Sequence, residues 1–302
     1  MGHSLNQYGA RKPPVAIPTA TLFCLFLLLV SANCFAQAQV NSTTQIGSLP
    51  SSALEEKGFT FYELYGGSFN SLGRVTELDT TVGYNFNRYF GVDAGIPFYF
   101  VGVSNTTDSP GPLPGNGIGD VYADLLLTLA NPAVNYLGTL RGTAPTGNPD
   151  KGFSTGRVTF DWDNYFDHDF RGLRPFADVA FANSIGDTHF FYRPFITFGY
   201  VFELEGGLTY KIVSPLRVGA SMYADLPVGE QTVISRQGLG EIKGPASIDR
   251  DNGFSAWVTV RPIPYITLEG GYDRSVRYAL NTFSFGIGFN LGSIYHKARG
   301  AL

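Results

Sequence analysis

The chain has 302 residues, a formal net charge of −4, 44% hydrophobic and 15% aromatic residues, and 37 glycines. So much apolar surface excludes a disordered chain, and the mildly acidic charge argues against a nucleic-acid partner. The mean hydropathy of +0.01 shows that apolar residues are interleaved with polar ones instead of being gathered into helical membrane spans.

The first 38 residues have the pattern of a secretory signal peptide. Arg11 and Lys12 precede an apolar run from Leu22 to Val30, and small residues end the segment at Ala36 to Ala38. A run of roughly ten residues is too short to cross a hydrocarbon core of about 30 Å as a helix. We therefore predict that residues 1–38 are removed on export. The remainder would have a formal charge of −6, because two basic residues leave with this segment.

Cleavage would also remove both cysteines, Cys24 and Cys34. The mature chain would then hold neither disulfides nor thiolate metal sites. A lipid anchor on Cys34 is the alternative, but Asn33 stands before it, where a lipoprotein signal has a small residue. Residues 39–57, which are polar and rich in Ser and Thr, are predicted to be a periplasmic N-terminal tail.

From Phe59 onwards, apolar and polar residues alternate with a period of two, and no stretch has apolar residues at helical spacing. The mature chain is therefore predicted to be all-β. The two-faced pattern is clear in Gly119–Leu129, in Thr155–Asn164 and in Phe191–Ile212. In the last of these, Ile196 and Phe198 are predicted on the same apolar face as the residues from Tyr200 to Ile212.

Alternation alone also fits a soluble β-sandwich or propeller, which stays the alternative fold. Three features favour a transmembrane antiparallel up-and-down β-barrel. Aromatic residues crowd the strand ends, and short turns alternate with long loops, notably Ser104–Gly117 and Pro227–Gly253. The strand count is even, about twelve, with starts near residues 59, 74, 90, 118, 134, 153, 173, 190, 216, 254, 265 and 281.

The predicted barrel covers residues 58–292, and residues 293–302 form a C-terminal tail. A signal peptide followed by such a barrel indicates the outer membrane of a Gram-negative bacterium. The expected partners are membrane lipid, the outer-membrane assembly machinery and a small-molecule solute. Thr282–Leu291, with one face of apolar residues, is a plausible strand for recognition by that machinery.

No motif in the sequence predicts an enzyme or a cofactor site. Gly115–Asp120 is rich in glycine, but no strand-turn-helix context and no Lys-Ser/Thr pair follow it, so it is not a phosphate-binding loop. The four histidines have no metal-ligand spacing, and none is placed with a serine as a catalytic pair. We predict no metal, no cofactor and no catalytic residue.

Acidic and basic side chains fall on the polar face of the predicted strands and are expected to point into the barrel. Charges of both signs there must pair or meet water. One interpretation is a ladder of salt bridges that fills a narrow lumen, and the other is a solute path selected by charge. The lumen-lining candidates are Asp120, Tyr122, Asp124, Arg157, Asp161, Asp163, Arg193, Glu203, Glu205, Tyr223 and Asp225.

Several short glycine-rich segments carry a family resemblance. They are Gly117-Ile118-Gly119-Asp120, Thr143–Asn148, Gly152–Gly156 and the run from Gly199 to Tyr210. Together they resemble the outer-membrane barrels of the meta-pathway phenol-degradation family over roughly residues 59–291. The resemblance implies passive uptake of small hydrophobic or aromatic molecules across the outer membrane. The long Pro227–Gly253 segment departs from the family's pattern.

The leading hypothesis is therefore a passive outer-membrane channel or transporter for small solutes. The alternative is a structural or surface-interaction barrel without transport, whose long loops contact partners. An outer-membrane enzyme is third. A lumen closed by paired charges would favour the alternative, and an open path would favour transport.

Overall fold

The computed structural model describes residues 57–71, 73–103, 115–185, 195–235 and 241–290. The predicted signal peptide, the predicted C-terminal tail and nearly all of the predicted N-terminal tail lie outside these residues. Among the candidate site residues, Arg193 also lies outside them.

The described residues are almost entirely extended. The strands are β1 (Gly58–Asn70), β2 (Gly73–Asn85), β3 (Phe90–Val103), β4 (Asn116–Ile118), β5 (Val121–Ala130), β6 (Asn135–Ala144), β7 (Thr159–Asp167), β8 (Leu173–Ile185), β9 (Phe195–Val213), β10 (Leu216–Ser235), β11 (Glu241–Pro245), β12 (Asp251–Ile263), β13 (Ile266–Ser275) and β14 (Leu280–Asn290). Two short 3-10 turns, Pro149–Lys151 and Ala246–Ile248, interrupt the connections. No helix in this part of the chain is long and apolar enough to cross a membrane.

Twelve of these strands form a closed ring of antiparallel pairs. The order around the ring is β1-β2-β3-β5-β6-β7-β8-β9-β10-β12-β13-β14, and β14 pairs with β1 from Tyr62↔Asn290 to Phe69↔Phe283. The short strands β4 and β11 pair with β3 and β10 and lie outside this order. The predicted twelve-stranded antiparallel barrel is confirmed. Ten of the twelve predicted strand starts fall within three residues of the observed ones.

The barrel buries its polar face and exposes its apolar one. On β5, Leu125 and Leu129 are 47% and 44% exposed, whereas Asp124 and Thr128 are 6% and 3% exposed. A soluble sheet would bury the leucines and expose the acid. In a closed ring the buried face is the inside, so the outer wall is apolar, as contact with lipid requires.

The predicted long loop Pro227–Gly253 is wrong over much of its length. Strand β10 continues through Pro227 to Ser235, and β11 pairs with the C-terminal part of β10. Pro227 and Gly229 predicted a loop because both residues are uncommon in strands. They lie instead next to an irregularity in the β9–β10 pairing, between Val228 and Thr232.

The predicted two-faced strand Phe191–Ile212 is also corrected, because β9 contains a bulge. On the β8 side, Val201 pairs with Ala182 and Phe198 pairs with Ser184, so Gly199 and Tyr200 stand opposite a single residue. Such a bulge reverses the alternation of faces along the strand. Tyr200 is therefore 55% exposed on the outer wall, whereas Ile196 is 6% exposed. Phe198 shares the inward face of Ser184 and Ala182.

Glycines let aromatic rings lie flat against the inner wall. A Cβ at Gly95 would stand 2.3 Å from the Tyr122 ring, and one at Gly119 would stand 2.5 Å from Tyr99. The same relation holds for Gly219 with the Trp257 ring and for Gly253 with the Tyr223 side chain. These rings lie against the backbone of the strand that carries the glycine.

We expect Gly95→Ala to destabilise the barrel by about 1–3 kcal/mol, because the new methyl group would displace the packed Tyr122 ring. Gly142→Ala, where a Cβ meets no atom within 4 Å, is the matched control and should be close to neutral. Urea unfolding of the refolded protein in lipid vesicles measures both variants. Equal loss of stability in the two would show that the aromatic ring does not require the glycine.

Candidate functional site

Acidic side chains outnumber arginines on the described inner face. In a closed barrel these groups face either each other or the solvent in the lumen. The inward acids are Glu77, Asp79, Asp93, Asp124, Asp161, Asp163, Asp167, Asp178, Glu203, Glu205, Asp225, Asp251, Glu269 and Asp273, and the inward arginines are Arg141, Arg174, Arg217 and Arg261.

One arginine organises the carboxylates of β2, β3 and β5. Arg141 donates from Nε to Asp124 Oδ1 at 2.6 Å, and its Nη2 forms an ion pair with Asp124 Oδ2. Its guanidinium lies 3.6 Å from the centroid of the Tyr122 ring. The Tyr122 hydroxyl donates to Asp79 Oδ2 at 2.7 Å, and Asp93 stands directly across from Asp124. We call these five residues the Arg141 cluster.

A second group of acids lies on β7, β8 and β9. Asp163 is across from Ala180, which is in turn across from Glu203. The carboxyl groups of Asp163 and Asp178 are within hydrogen-bonding distance, and Asp161 and Glu203 are close enough to act on Asp163 electrostatically. Glu203 and Asp178 are 0% and 3% exposed. We call Asp161, Asp163, Asp178 and Glu203 the acidic cluster.

Further acids on β12 and β13 are held by hydroxyl groups. The hydroxyl of Ser275 donates to Asp251 at 2.5 Å, that of Ser255 to Asp273 at 3.0 Å, and that of Thr259 to Glu269 at 2.7 Å. A neutral donor fixes a carboxylate without cancelling its charge. These pairs therefore add to the negative character of the lumen.

The end of the lumen near Gly58, which is predicted to be the periplasmic end, differs from the middle. Arg174, Arg217 and Arg261 of β8, β10 and β12 lie close together there. Arg174 lies 3.6 Å from Asp167 and 3.6 Å from Asp169. In the turn before β8, the backbone N–H of Gly172 donates to Asp169 and lowers the pKa of its carboxyl below the usual range. Charge thus changes along the barrel axis, from acidic in the middle to mixed at this mouth.

Two aromatic rings form an apolar surface among these charges. Phe176 of β8 and Trp257 of β12 meet edge to face at 6.1 Å, across the two strands between them. Gly207 and Gly219 on those strands leave room for the rings. Trp257 is 7% exposed, so only a small part of its side chain is available to a solute.

Most of the predicted site residues lie on the inner wall. Tyr122, Asp124, Glu203, Tyr223 and Asp225 are almost fully buried there, and Asp161, Asp163 and Glu205 are half-buried on the same face. Asp120 lies between β4 and β5 and accepts a hydrogen bond from a loop. Arg157 is exposed just before β7, and its guanidinium lies over Phe198. The structure therefore divides the described candidates between the wall and the connections that precede β5 and β7.

Sequence reasoning missed Arg141, Arg174 and Asp178 as candidates. Each stands on the polar face of a strand that alternates, so the same period-two signal could have found them. Glu63 is a different case, because it lies on the outer wall across from Phe289 and accepts hydrogen bonds from Thr80 at 2.9 and 3.0 Å. A lone acid on the lipid-facing side gives no pattern that the sequence could show.

Within the described ranges, no group of three or more His, Cys, Asp or Glu side chains is placed to hold a metal ion.

We expect Arg141→Gln to lower the free energy of unfolding by about 3–5 kcal/mol, because it leaves buried carboxylates without their cation. Arg88→Gln, in an exposed turn, is the control and should change stability little. The double variant Arg141→Gln/Asp124→Asn should recover part of the loss. Urea unfolding checks all three, and no recovery in the double variant would mean that the Asp124 pair is not the cause.

No family model matches this chain, and no curated protein matches its sequence. Solved structures do match. The COG4313 outer membrane channel from Pseudomonas putida F1 has 13% identity and a TM-score of 0.52, over 78% of this chain and 96% of that one. A NanC porin has 12% identity and a TM-score of 0.46, over 75% and 98%. A KdgM porin has 11% identity and a TM-score of 0.44, over 76% and 98%.

These structural neighbours are outer-membrane channels and porins. At so low an identity, the likeness to the COG4313 channel concerns the fold alone. It agrees with the closed ring of twelve strands. Neither the solute nor the family follows from it.

Proposed function

We propose that this protein is an outer-membrane barrel that lets small solutes pass passively through its lumen. The observation that carries the proposal is the inverted wall, which is apolar outside and lined inside by carboxylates held by hydroxyl groups, by one another and by Arg141. A purely structural barrel gains nothing from so many buried charges, because each costs desolvation free energy. A conduit needs them, since charged walls hold water and select ions.

The excess of acids over arginines on the described inner wall predicts a preference for cations. Ions that pass the acidic cluster and the Arg141 cluster meet a net negative wall. The arginines at the periplasmic mouth make the field unequal at the two ends, so current should differ with the sign of the voltage.

The finer proposal concerns the solute. Phe176 and Trp257 provide an aromatic surface inside a polar lumen, which suits small aromatic or hydrophobic molecules. This class agrees with what the resemblance to the meta-pathway phenol-degradation family implies. The alternative, a barrel without transport, is favoured by the buried Arg141–Asp124 ion pair, which fills part of the lumen.

The first test is single-channel recording of the refolded mature protein in planar bilayers under a salt gradient. We expect conductance steps and a reversal potential of the sign that marks cation preference. In Asp161→Asn/Asp163→Asn/Glu203→Gln the reversal potential should move towards zero, because the acidic cluster keeps Asp178 as its one remaining acid.

Glu230→Gln/Glu241→Gln is the matched control, since both acids are exposed. Glu230 lies in the C-terminal part of β10, and Glu241 is the first residue of β11. Its reversal potential should equal that of the wild type. A folded wild-type barrel that carries neither ions nor neutral solutes would overturn transport and leave the structural alternative.

The solute class can be tested by fluorescence, because the chain has two tryptophans. Trp162 is 52% exposed on the outer wall, and Trp257 is on the inner wall. In Trp162→Phe, nitrobenzene should quench Trp257 with a saturable dependence on concentration. Phe176→Ala in that background should weaken the apparent affinity several-fold, since one side of the aromatic surface is lost.

Two controls accompany this measurement. In Trp257→Phe the remaining Trp162 should be quenched linearly, because nitrobenzene reaches it through the lipid. Phe181→Ala changes an outward ring of the same strand β8, which stacks with Tyr200, and should leave quenching of Trp257 unchanged. Linear quenching of Trp257, unaffected by Phe176→Ala, would remove the support for an aromatic solute.

A further inference from the structure

The connection between β6 and β7 folds into the barrel instead of away from it. We call residues 145–158 the inner loop. Its residues Phe153, Ser154 and Thr155 are 2%, 0% and 6% exposed, although they belong to a connection between two strands. Connections of this kind usually run over the surface, so burial of the loop needs a structural reason.

The first reason for burial of the loop is apolar packing, against a cluster on the inner side of β2 and β3. Phe153 packs with Val75, Tyr99 and Val101, each at most 8% exposed. The rings of Phe153 and Tyr99 are parallel, with centroids 5.9 Å apart. A Cβ at Gly117 of β4 would stand 2.5 Å from the Phe153 ring, so the strand leaves space for it. The loop thus reaches back over β5 to the wall formed by β2 and β3.

The second reason for burial of the loop is a polar contact with Asp120, which lies between β4 and β5. Its carboxylate accepts a hydrogen bond from the backbone N–H of Gly147 at 2.9 Å. Ser154 and Thr155, on the other limb of the loop, lie close enough to act on the same carboxyl group. One carboxylate therefore lies between both limbs of the inner loop, and its charge-assisted hydrogen bond from Gly147 holds the first limb in place.

The tip of the inner loop is rigid for its own reasons. Pro149–Lys151 form a 3-10 turn whose N-cap, Asn148, accepts a hydrogen bond from the N–H of Lys151 at 3.2 Å. The turn ends at Gly152, whose φ of 68° is a left-handed conformation that favours glycine. The chain then returns directly to Phe153, whose N–H donates to Asn148 O at 3.0 Å.

The other end of the loop reaches the opposite part of the wall. The Arg157 guanidinium lies 4.7 Å from the centroid of the Phe198 ring on β9, two strands beyond the β7 start that follows Arg157. Phe198 faces inward because of the bulge at Gly199 and Tyr200. The inner loop therefore contacts the inner wall at β2 and β3 on one side and at β9 on the other.

We propose that the inner loop is a fixed constriction of the lumen, anchored by Asp120 and Phe153, which sets the size limit for solutes. It rests on the proposed function, because a constriction matters only in a conducting barrel. The apolar cluster and the Asp120 hydrogen bonds hold the loop in place on the β2–β3 side, so the passage is confined to the space that the loop leaves free.

The test compares Phe153→Ala and Asp120→Ala with the wild type in planar bilayers and in liposome swelling with neutral sugars of increasing size. Loss of either anchor should raise single-channel conductance by roughly twofold and admit larger sugars, because the narrowest section widens. Asp150→Asn, at the exposed tip of the same loop, is the matched control and should match the wild type. The heat-dependent shift of the folded barrel on gels confirms that each variant folds.

A second measurement tests the anchor without conduction. In the refolded mature protein, which has no cysteine after the predicted cleavage, Ser154→Cys should react with maleimide at least about tenfold more slowly than Lys151→Cys, because Ser154 is fully buried and Lys151 is exposed. Equal labelling rates would overturn the anchored loop.

The outcomes separate the two proposals. A conducting wild type whose sugar cut-off does not change in either anchor variant would overturn the constriction and leave the channel. A silent wild type with conducting anchor variants would overturn both, because the loop would then close the lumen instead of setting a size limit. A barrel silent in every variant would also overturn both.

Discussion

Closure of the sheet is the constraint on which this structure depends. In lipid, each backbone N–H and C=O must find a partner within the protein, and an open sheet edge leaves a row of them unpaired. The pairing of β1 with β14, from Tyr62↔Asn290 to Phe69↔Phe283, removes that edge. Once the ring is closed, each side chain in a regular strand must face either lipid or lumen. The alternation of the sequence then decides the chemistry of both surfaces.

Charge in the lumen follows from this division. The inward half of each strand holds groups that water would otherwise solvate, so they must be paired or hydrogen-bonded. Asp124 forms an ion pair with an arginine. Asp251, Asp273 and Glu269 accept hydrogen bonds from hydroxyl groups. Asp163 interacts with neighbouring carboxyl groups. Because hydroxyl donors do not cancel charge, these carboxylates keep the wall negative.

Two of the irregular backbone segments in this barrel contribute contacts to the inner loop. The bulge at Gly199 and Tyr200 turns Phe198 towards Arg157. The break between β4 and β5 places Asp120 beneath the loop, and Gly117 leaves space for Phe153. Bulges and glycines of this kind are common near the functional parts of barrels. The same irregular segments of the barrel wall therefore hold the constriction in place.

The sequence by itself determined the all-β class, the twelve strands and which face of most strands is polar. These features are local, since a period of two and turn residues are written in consecutive positions. The tertiary structure alone decided the reversal of faces at Gly199, the continuation of β10 past Pro227 and the partners of Arg141 and Asp120. A bulge depends on the strands beside it, and an ion pair depends on register. Neither is contained in the pattern of a single segment.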